Sequence, residues 1–248
     1  MSAALLARKS RKVCDILATI HWLRSLMRAV RSNLHPRKDA ESIIEVGILF
    51  PPPLRTCETV MAFNARKAAQ VIAFLIGRNG NSAINILKAI KLVYLADRQS
   101  FKKFGFPILD ETRVSMPQGP VNSVTYSHVN GEYDLEVCGW SEILEDRANH
   151  LIGSKKRVEV DDLDELSDAD IECLNEVWAE FGYMDQWQLV AYTHDRNNIP
   201  EWEDPHGSSL PIPVERILTA LRFPDADKQA SAVEEQRNLE KVFQSLRR

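Results

Sequence analysis

The chain has 248 residues, of which 44% are hydrophobic and 27% charged, enough to bury a core without disulfide or metal staples. No run approaches the roughly 18 apolar residues that cross a bilayer. Cys14, Cys57, Cys138 and Cys173 are scattered with no CxxC pair, and the six histidines are equally dispersed. These spacings exclude a zinc ribbon, a disulfide framework and a His-based metal motif, imply no cofactor, and suit a cytoplasmic, reducing setting. The formal net charge of −4 hides two unlike parts: residues 1–60 carry a net +5, and residues 61–248 a net −9.

In the basic part, Ile16, Leu17, Ile20, Leu23, Met27 and Val30 recur at helical spacing with Arg24, Arg28 and Arg31 between them, a pattern for a membrane-surface or nucleic-acid-binding helix or for an add-on helix. Pro51-Pro52-Pro53 then breaks regular structure. Well-formed amphipathic elements begin at Met61, so residues 1–60 are expected to be a poorly packed or non-native extension and residues 61–248 the folded domain.

The spacing predicts a helix over 64–78 and a turn at Asn79–Asn81. The most apolar helix follows over about 83–104, capped by Ser82, with a narrow polar stripe of Asn85, Lys88 and Lys91 resumed by Arg98 and Lys102. Gly105 and Pro107 end it. Residues 108–118 read as extended, with Val114 and Met116 on one face; Gly119-Pro120 turns the chain into a short helix over 121–130. Segments 149–153 and 156–160 read as an extended pair joined at Gly153-Ser154. Ser167 and Asp170 form a capping box for a helix ending at Gly182, Asp185 caps the next one, and two more helices cover 213–221 and 225–246. The expected fold is mainly α (α+β): a helical bundle around a central apolar helix, with a small antiparallel β element.

Asp97 projects from the apolar side of the central helix, where a bare carboxylate is costly. It is either a general base or, preferably, an acceptor for backbone N–H groups of a neighbouring turn, for instance near Gly119. His194 sits among acidic neighbours, but no nucleophile context accompanies it, and a helix C-terminal cap is the preferred role. Trp187 and Trp202 are expected to anchor core or groove packing. The stretch Glu159–Glu180 contains no Lys or Arg and is either a solvated face or a surface for a basic partner. Nothing in these residues assembles a catalytic centre, and the acidic balance of 61–248 argues against a DNA-binding surface.

The order of signals resembles the Panacea domain family, which includes SocA-like antitoxins and phage-associated GepA proteins. The carrying residues are Leu87 and the run Ile90-Lys91-Leu92-Val93-Tyr94-Leu95-Ala96-Asp97-Arg98, then Gly105-Phe106-Pro107-Ile108, Gly119-Pro120-Val121, Trp187-Gln188-Leu189, Thr193-His194, Glu201-Trp202 and Pro211-Ile212. Asn122 departs from the pattern by preceding Ser123. The resemblance implies an antitoxin of a type II toxin–antitoxin system that binds a cognate toxin, and, in the SocA type, a proteolytic adaptor delivering that toxin to the ClpXP protease. Tyr94, Asp97, Arg98, Gly105, Pro107, Gly119, Pro120, Trp187, His194 and Trp202 would then be structural motif positions, and Glu172, Glu176 and Glu180 a partner-binding row. An enzyme using Asp97 and His194, and a transcriptional regulator or phage-associated DNA-binding protein using the basic N-terminal helix, are the rival readings.

Overall fold

Asparagine side chains set where the two innermost helices begin. The computed structural model describes residues 63–133, 135 and 139–246; the expectations for residues 1–60 and for a start at Met61 lie outside them. Helix α1 (Ala65–Arg78) starts where the Asn64 side chain accepts the Lys67 N–H. Its Ala68, Ala69, Ile72, Phe74, Leu75 and Ile76 are all buried. Helix α2 (Ile86–Phe104) starts at Asn85, whose side chain accepts the N–H groups of Leu87 and Lys88, rather than at Ser82. The three residues before it were expected to be helical. Ile84 instead pairs with Ile152, so that Ile84–Asn85 (β1) and Leu151–Ile152 (β4) form a two-stranded antiparallel ladder.

Helix α2 is the axis of the bundle, packed against α5 (Asp168–Phe181), α6 (Gln186–His194) and strand β3 (Gly119–Asn122). That arrangement overturns one reading of its polar stripe. Lys91 is fully buried, because β3 lies over that side of the helix.

Strands β2 (Arg113–Met116), β3 and β5 (Leu210–Ile212) form a second antiparallel sheet in the order β3-β2-β5. Met116 pairs with Gly119, so the turn is Pro117-Gln118 and the Gly119-Pro120 pair belongs to the strand. Val114 and Met116 do share a face, but they are half-buried; the fully enclosed positions are Arg113 and Ser115. Pro211 is tolerated because β5 is an edge strand. The short helix α3 (Ser123–Val129) follows β3 directly.

The expected pairing of 149–153 with 156–160 does not form. The Val158 N–H donates to Asn81 Oδ1 at 2.8 Å, and its side chain packs on Gly77, tying that segment to the end of α1. Further on, α4 (Trp140–Ile143) seats buried Trp140 against α1. The capping boxes of α5 (Ser167/Asp170) and α6 (Asp185/Gln188) form with both reciprocal bonds. Helix α7 (Val214–Ala220) packs against the long C-terminal helix α8 (Ala226–Leu246). The fold is mainly α with a small antiparallel β element. Among the described residues no helix is long and apolar enough to cross a membrane.

Gly105 shows why the end of α2 admits no side chain. It sits at φ 76°, in the left-handed region, and a Cβ there would lie 2.7 Å from Gln229 Nε2 and 2.9 Å from Phe223 Cζ. Gln229 donates to the Gly105 carbonyl, so the same site holds down the start of α8. Gly105→Ala is expected to lower stability by about 1–3 kcal/mol in urea unfolding and to loosen amide protection in the first turns of α8; unchanged protection there would dissociate the two.

Candidate functional site

One turn of α2, from Tyr94 to Arg98, organises two buried clusters. In the first, Asp97 is 1% exposed. Its Oδ1 accepts the Ile108 and Leu109 N–H groups, both at 3.0 Å. Its Oδ2 accepts from Arg113 Nη2 (2.5 Å), Arg113 Nε (3.1 Å) and Asn122 Nδ2 (2.8 Å). The expected role as a backbone acceptor holds, but the turn is Ile108–Leu109 rather than Gly119. Arg113 spends its remaining donors on the Glu111 and Leu109 carbonyls and lies over the Phe101 ring.

Glu111, 4% exposed, extends the cluster. Its Oε2 accepts the Val124 and Thr125 N–H groups at 2.7 and 2.8 Å, and its Oε1 accepts the Thr125 hydroxyl at 2.5 Å. It thereby caps α3, whose own N-cap residue Asn122 makes no capping bond because its side chain is turned towards Asp97. Burial pushes the Glu111 carboxyl up to about 7 against the opposing pull of Thr125.

In the second cluster Glu201, fully buried, accepts from Tyr94 Oη at 2.8 Å and Arg98 Nε at 2.7 Å. Burial, then the Glu201 charge, raises the Tyr94 hydroxyl well above its ordinary range. Between the clusters the β2–β3 hairpin is clamped through its backbone. Lys91 Nζ donates to Pro120 O (2.9 Å), and Trp202 Nε1 to Met116 O (3.2 Å). His194 is the last residue of α6; its Nε2 lies 2.6 Å from Pro117 O, its Nδ1 2.8 Å from Val190 O, and its ring meets Trp202 edge-on. Gly119 has no alternative here, since at φ +93° a Cβ would lie 2.6 Å from Thr193 Oγ1 and 3.0 Å from Lys91 Nζ.

Asp97 and His194, the pair a hydrolytic reading would use, share no partner. Every oxygen of Asp97 is engaged by protein donors, and both nitrogens of His194 face backbone carbonyls. The cluster can hold the fold in register; it offers no free base. Glu111, Arg113 and Asn122 were missed from sequence, because each became readable only once the hairpin placed it against Asp97.

The surface divides differently from the sequence reading. Much of the acidic stretch is met by cations. Lys103 bridges Glu172 and Glu176 at 2.8 and 2.7 Å, Lys67 meets Asp170, and Arg66 reaches Asp164. Gln99 also donates to Glu176, and these bonds hold its carboxyl below the usual range. Glu180 is exposed and makes no ion pair among the described residues. Trp187 was expected to anchor packing and is 60% exposed instead, whereas Trp202 is buried at 8%. Tyr183, 77% exposed, lies four residues earlier, in the turn between α5 and α6. Lys88 Nζ, behind them, is spent on the Gly182 carbonyl and the Trp178 ring.

Two stability predictions follow from the buried charges. Asp97→Asn leaves Arg113 enclosed without its counter-ion and is expected to cost about 3–5 kcal/mol in denaturant unfolding; a cost below 1 kcal/mol would mean the carboxylate is dispensable to the fold. Burial lowers the Lys91 ammonium to about 7 from its ordinary 10.5, so between those values the unfolded chain binds more protons than the native one. Its contribution to stability therefore grows as pH rises from about 7 to about 10.5 and is lost as pH falls. Lys91→Met should flatten that rise when unfolding midpoints are compared at pH 7 and 9.5, and equal slopes in the two proteins would refute it.

The comparisons agree with the geometry. Residues 90–203 match the family model described as antitoxin SocA-like, Panacea domain. No curated protein and no solved structure matches the chain. The matched span runs from the start of the Lys91–Arg98 stretch to Glu203, taking in both buried clusters, the hairpin and the α5–α6 turn. Over residues 90–203 this chain is similar to the antitoxin SocA-like Panacea domain.

Proposed function

We propose that the protein is the antitoxin of a type II toxin–antitoxin pair, acting in the cytoplasm by binding a cognate toxin directly and without a chemical step. The observation that carries this reading is the exposure of Tyr183 and Trp187 at the α5–α6 turn, close in sequence to the exposed Glu180. Large aromatics are the residues most often found as interface anchors. Here they stand on a turn whose flanking helices are fixed by capping boxes and by packing on α2, so little ordering is needed on binding. The acidic rim selects a basic toxin surface and speeds encounter with it. Glu172 and Glu176 contribute less to that field than their number implies, because Lys103 neutralises them from behind. Delivery to ClpXP would require a second contact with an unfoldase, and toxin half-life separates that mode from plain inhibition.

The test pairs the full chain with the product of the adjacent open reading frame. Growth arrest by that product should be relieved by co-expression, and the two proteins should co-purify. Tyr183→Ala combined with Trp187→Ala should weaken the complex by at least about 2 kcal/mol, roughly 30-fold, in calorimetry. Glu180→Lys should slow association more at low salt than at high salt. Rescue with an undiminished complex in both variants would remove this surface from the account, and no toxicity from either neighbour would remove the antitoxin reading.

A further inference from the structure

We propose that His194 is a pH-sensitive latch: it fastens the tip of the β2–β3 hairpin to the end of α6 while its ring carries two protons, and releases the tip when it carries one. Both nitrogens of the ring end on a backbone carbonyl. Nδ1 lies 2.8 Å from Val190 O, and Nε2 lies 2.6 Å from Pro117 O. A carbonyl oxygen only accepts, so each contact needs an N–H on the ring, and only the imidazolium supplies both. In the neutral ring one nitrogen turns its lone pair on a carbonyl oxygen at hydrogen-bond distance, and that contact has to open. The ring itself is restrained, because it packs edge-on against Trp202 with centroids 4.7 Å apart.

The Pro117 contact is the one that opens. Val190 lies four residues back on the same helix, so the Nδ1 bond closes within one turn of α6. Pro117 O belongs to the hairpin turn, where Pro117 and Gln118 are both exposed. The rest of the hairpin has fastenings that this proton does not touch. Trp202 Nε1 donates to Met116 O, the Ser115 hydroxyl accepts the Glu203 N–H, and Lys91 Nζ donates to Pro120 O. Release is therefore confined to the turn. The charged groups around the ring are engaged elsewhere. Residues Met116–Pro120 carry no titratable side chain. On the loop after α6, Asp195 is taken by Asn197 and Asn198, Glu201 by Tyr94 and Arg98, and Glu203 by Arg216, while Arg196 is exposed. On α6 itself, burial raises the Tyr192 hydroxyl further above the neutral range. Across β3, burial lowers the Lys91 ammonium to about 7, so the test has to separate Lys91 from His194. The latch does not rest on the antitoxin reading.

Solution NMR of the full chain from about pH 5 to about pH 8 tests the latch. The Pro117 carbonyl carbon and the Gln118 amide, which share one peptide group, should shift with the same midpoint as the His194 ring nitrogens. Backbone order at Gln118 should fall as pH rises. His194→Gln, which does not titrate, should abolish both changes, and Lys91→Met should leave both in place. Where His194→Gln folds poorly, the wild type decides the matter by whether the Pro117 midpoint coincides with that of the His194 ring or with that of Lys91 Nζ. A Pro117 carbonyl that ignores the ring, one that follows Lys91 instead, or a transition that survives His194→Gln overturns the proposal.

Discussion

A carboxylate buried on the central helix has to be matched, and most of the fold is arranged around how that is done. Asp97 sits on α2 where the surrounding turns are hydrophobic, and taking an unpaired charge there from water would cost several kcal/mol. Donors arrive from three separate segments: the Ile108–Leu109 turn, the guanidinium of β2 and the side-chain amide at the end of β3. Each of those bonds fixes a piece of backbone. The turn after α2 must curl back, β2 must present Arg113 inward, and β3 must end where Asn122 can reach. The inward face of β2 is consequently polar, with Arg113 and Ser115 enclosed and Val114 and Met116 only half-buried.

The second cluster applies the same constraint in reverse. Glu201 is carried far along the chain and returned to α2, where Tyr94 and Arg98, four residues apart on one face of the helix, receive it. Buried ion pairs of this kind add little net stability compared with an apolar core, but removing one partner is costly. Their effect is to penalise alternative registers of the hairpin and of the loop after α6. Lys91 works at the same junction by a different route. Burial depresses its basicity, no carboxylate among the described residues pairs with it, and it serves as a donor to the Pro120 carbonyl.

Helices were legible because their signals are local. The caps at Ser167 and Asp185 and the stop at Gly105 depend on neighbours within a few residues, and all three appear as the spacing implied. Asp97 was also legible, since a lone carboxylate on an apolar face demands donors wherever they come from. What failed was non-local. Lys91 reads as part of a polar stripe until β3 covers it, and Val158 reads as a strand residue until Asn81 captures its N–H. The acidic stretch looks free until Arg66, Lys67 and Lys103 arrive from helices about 70 to 100 positions away in sequence. Trp187 has the composition of a core anchor and is found on the surface, because α6 buries only Leu189 and Thr193.

Of the positions that carry the resemblance, Trp187 is exposed and most of the others are internal. Tyr94, Asp97, Arg98, Gly119, Pro120, His194 and Trp202 face one another or the hairpin backbone, and few of their polar atoms remain for a partner. On the antitoxin reading, recognition therefore falls to residues that the networks leave alone, such as the exposed Tyr183, Trp187 and Glu180 near α5 and α6. A scaffold locked by buried charge tolerates change at such positions, because substituting an exposed side chain disturbs none of the enclosed pairs. Partner choice can then vary with the shape and charge of one turn while α2 and its two clusters stay fixed, which is how a single fold accommodates unlike targets.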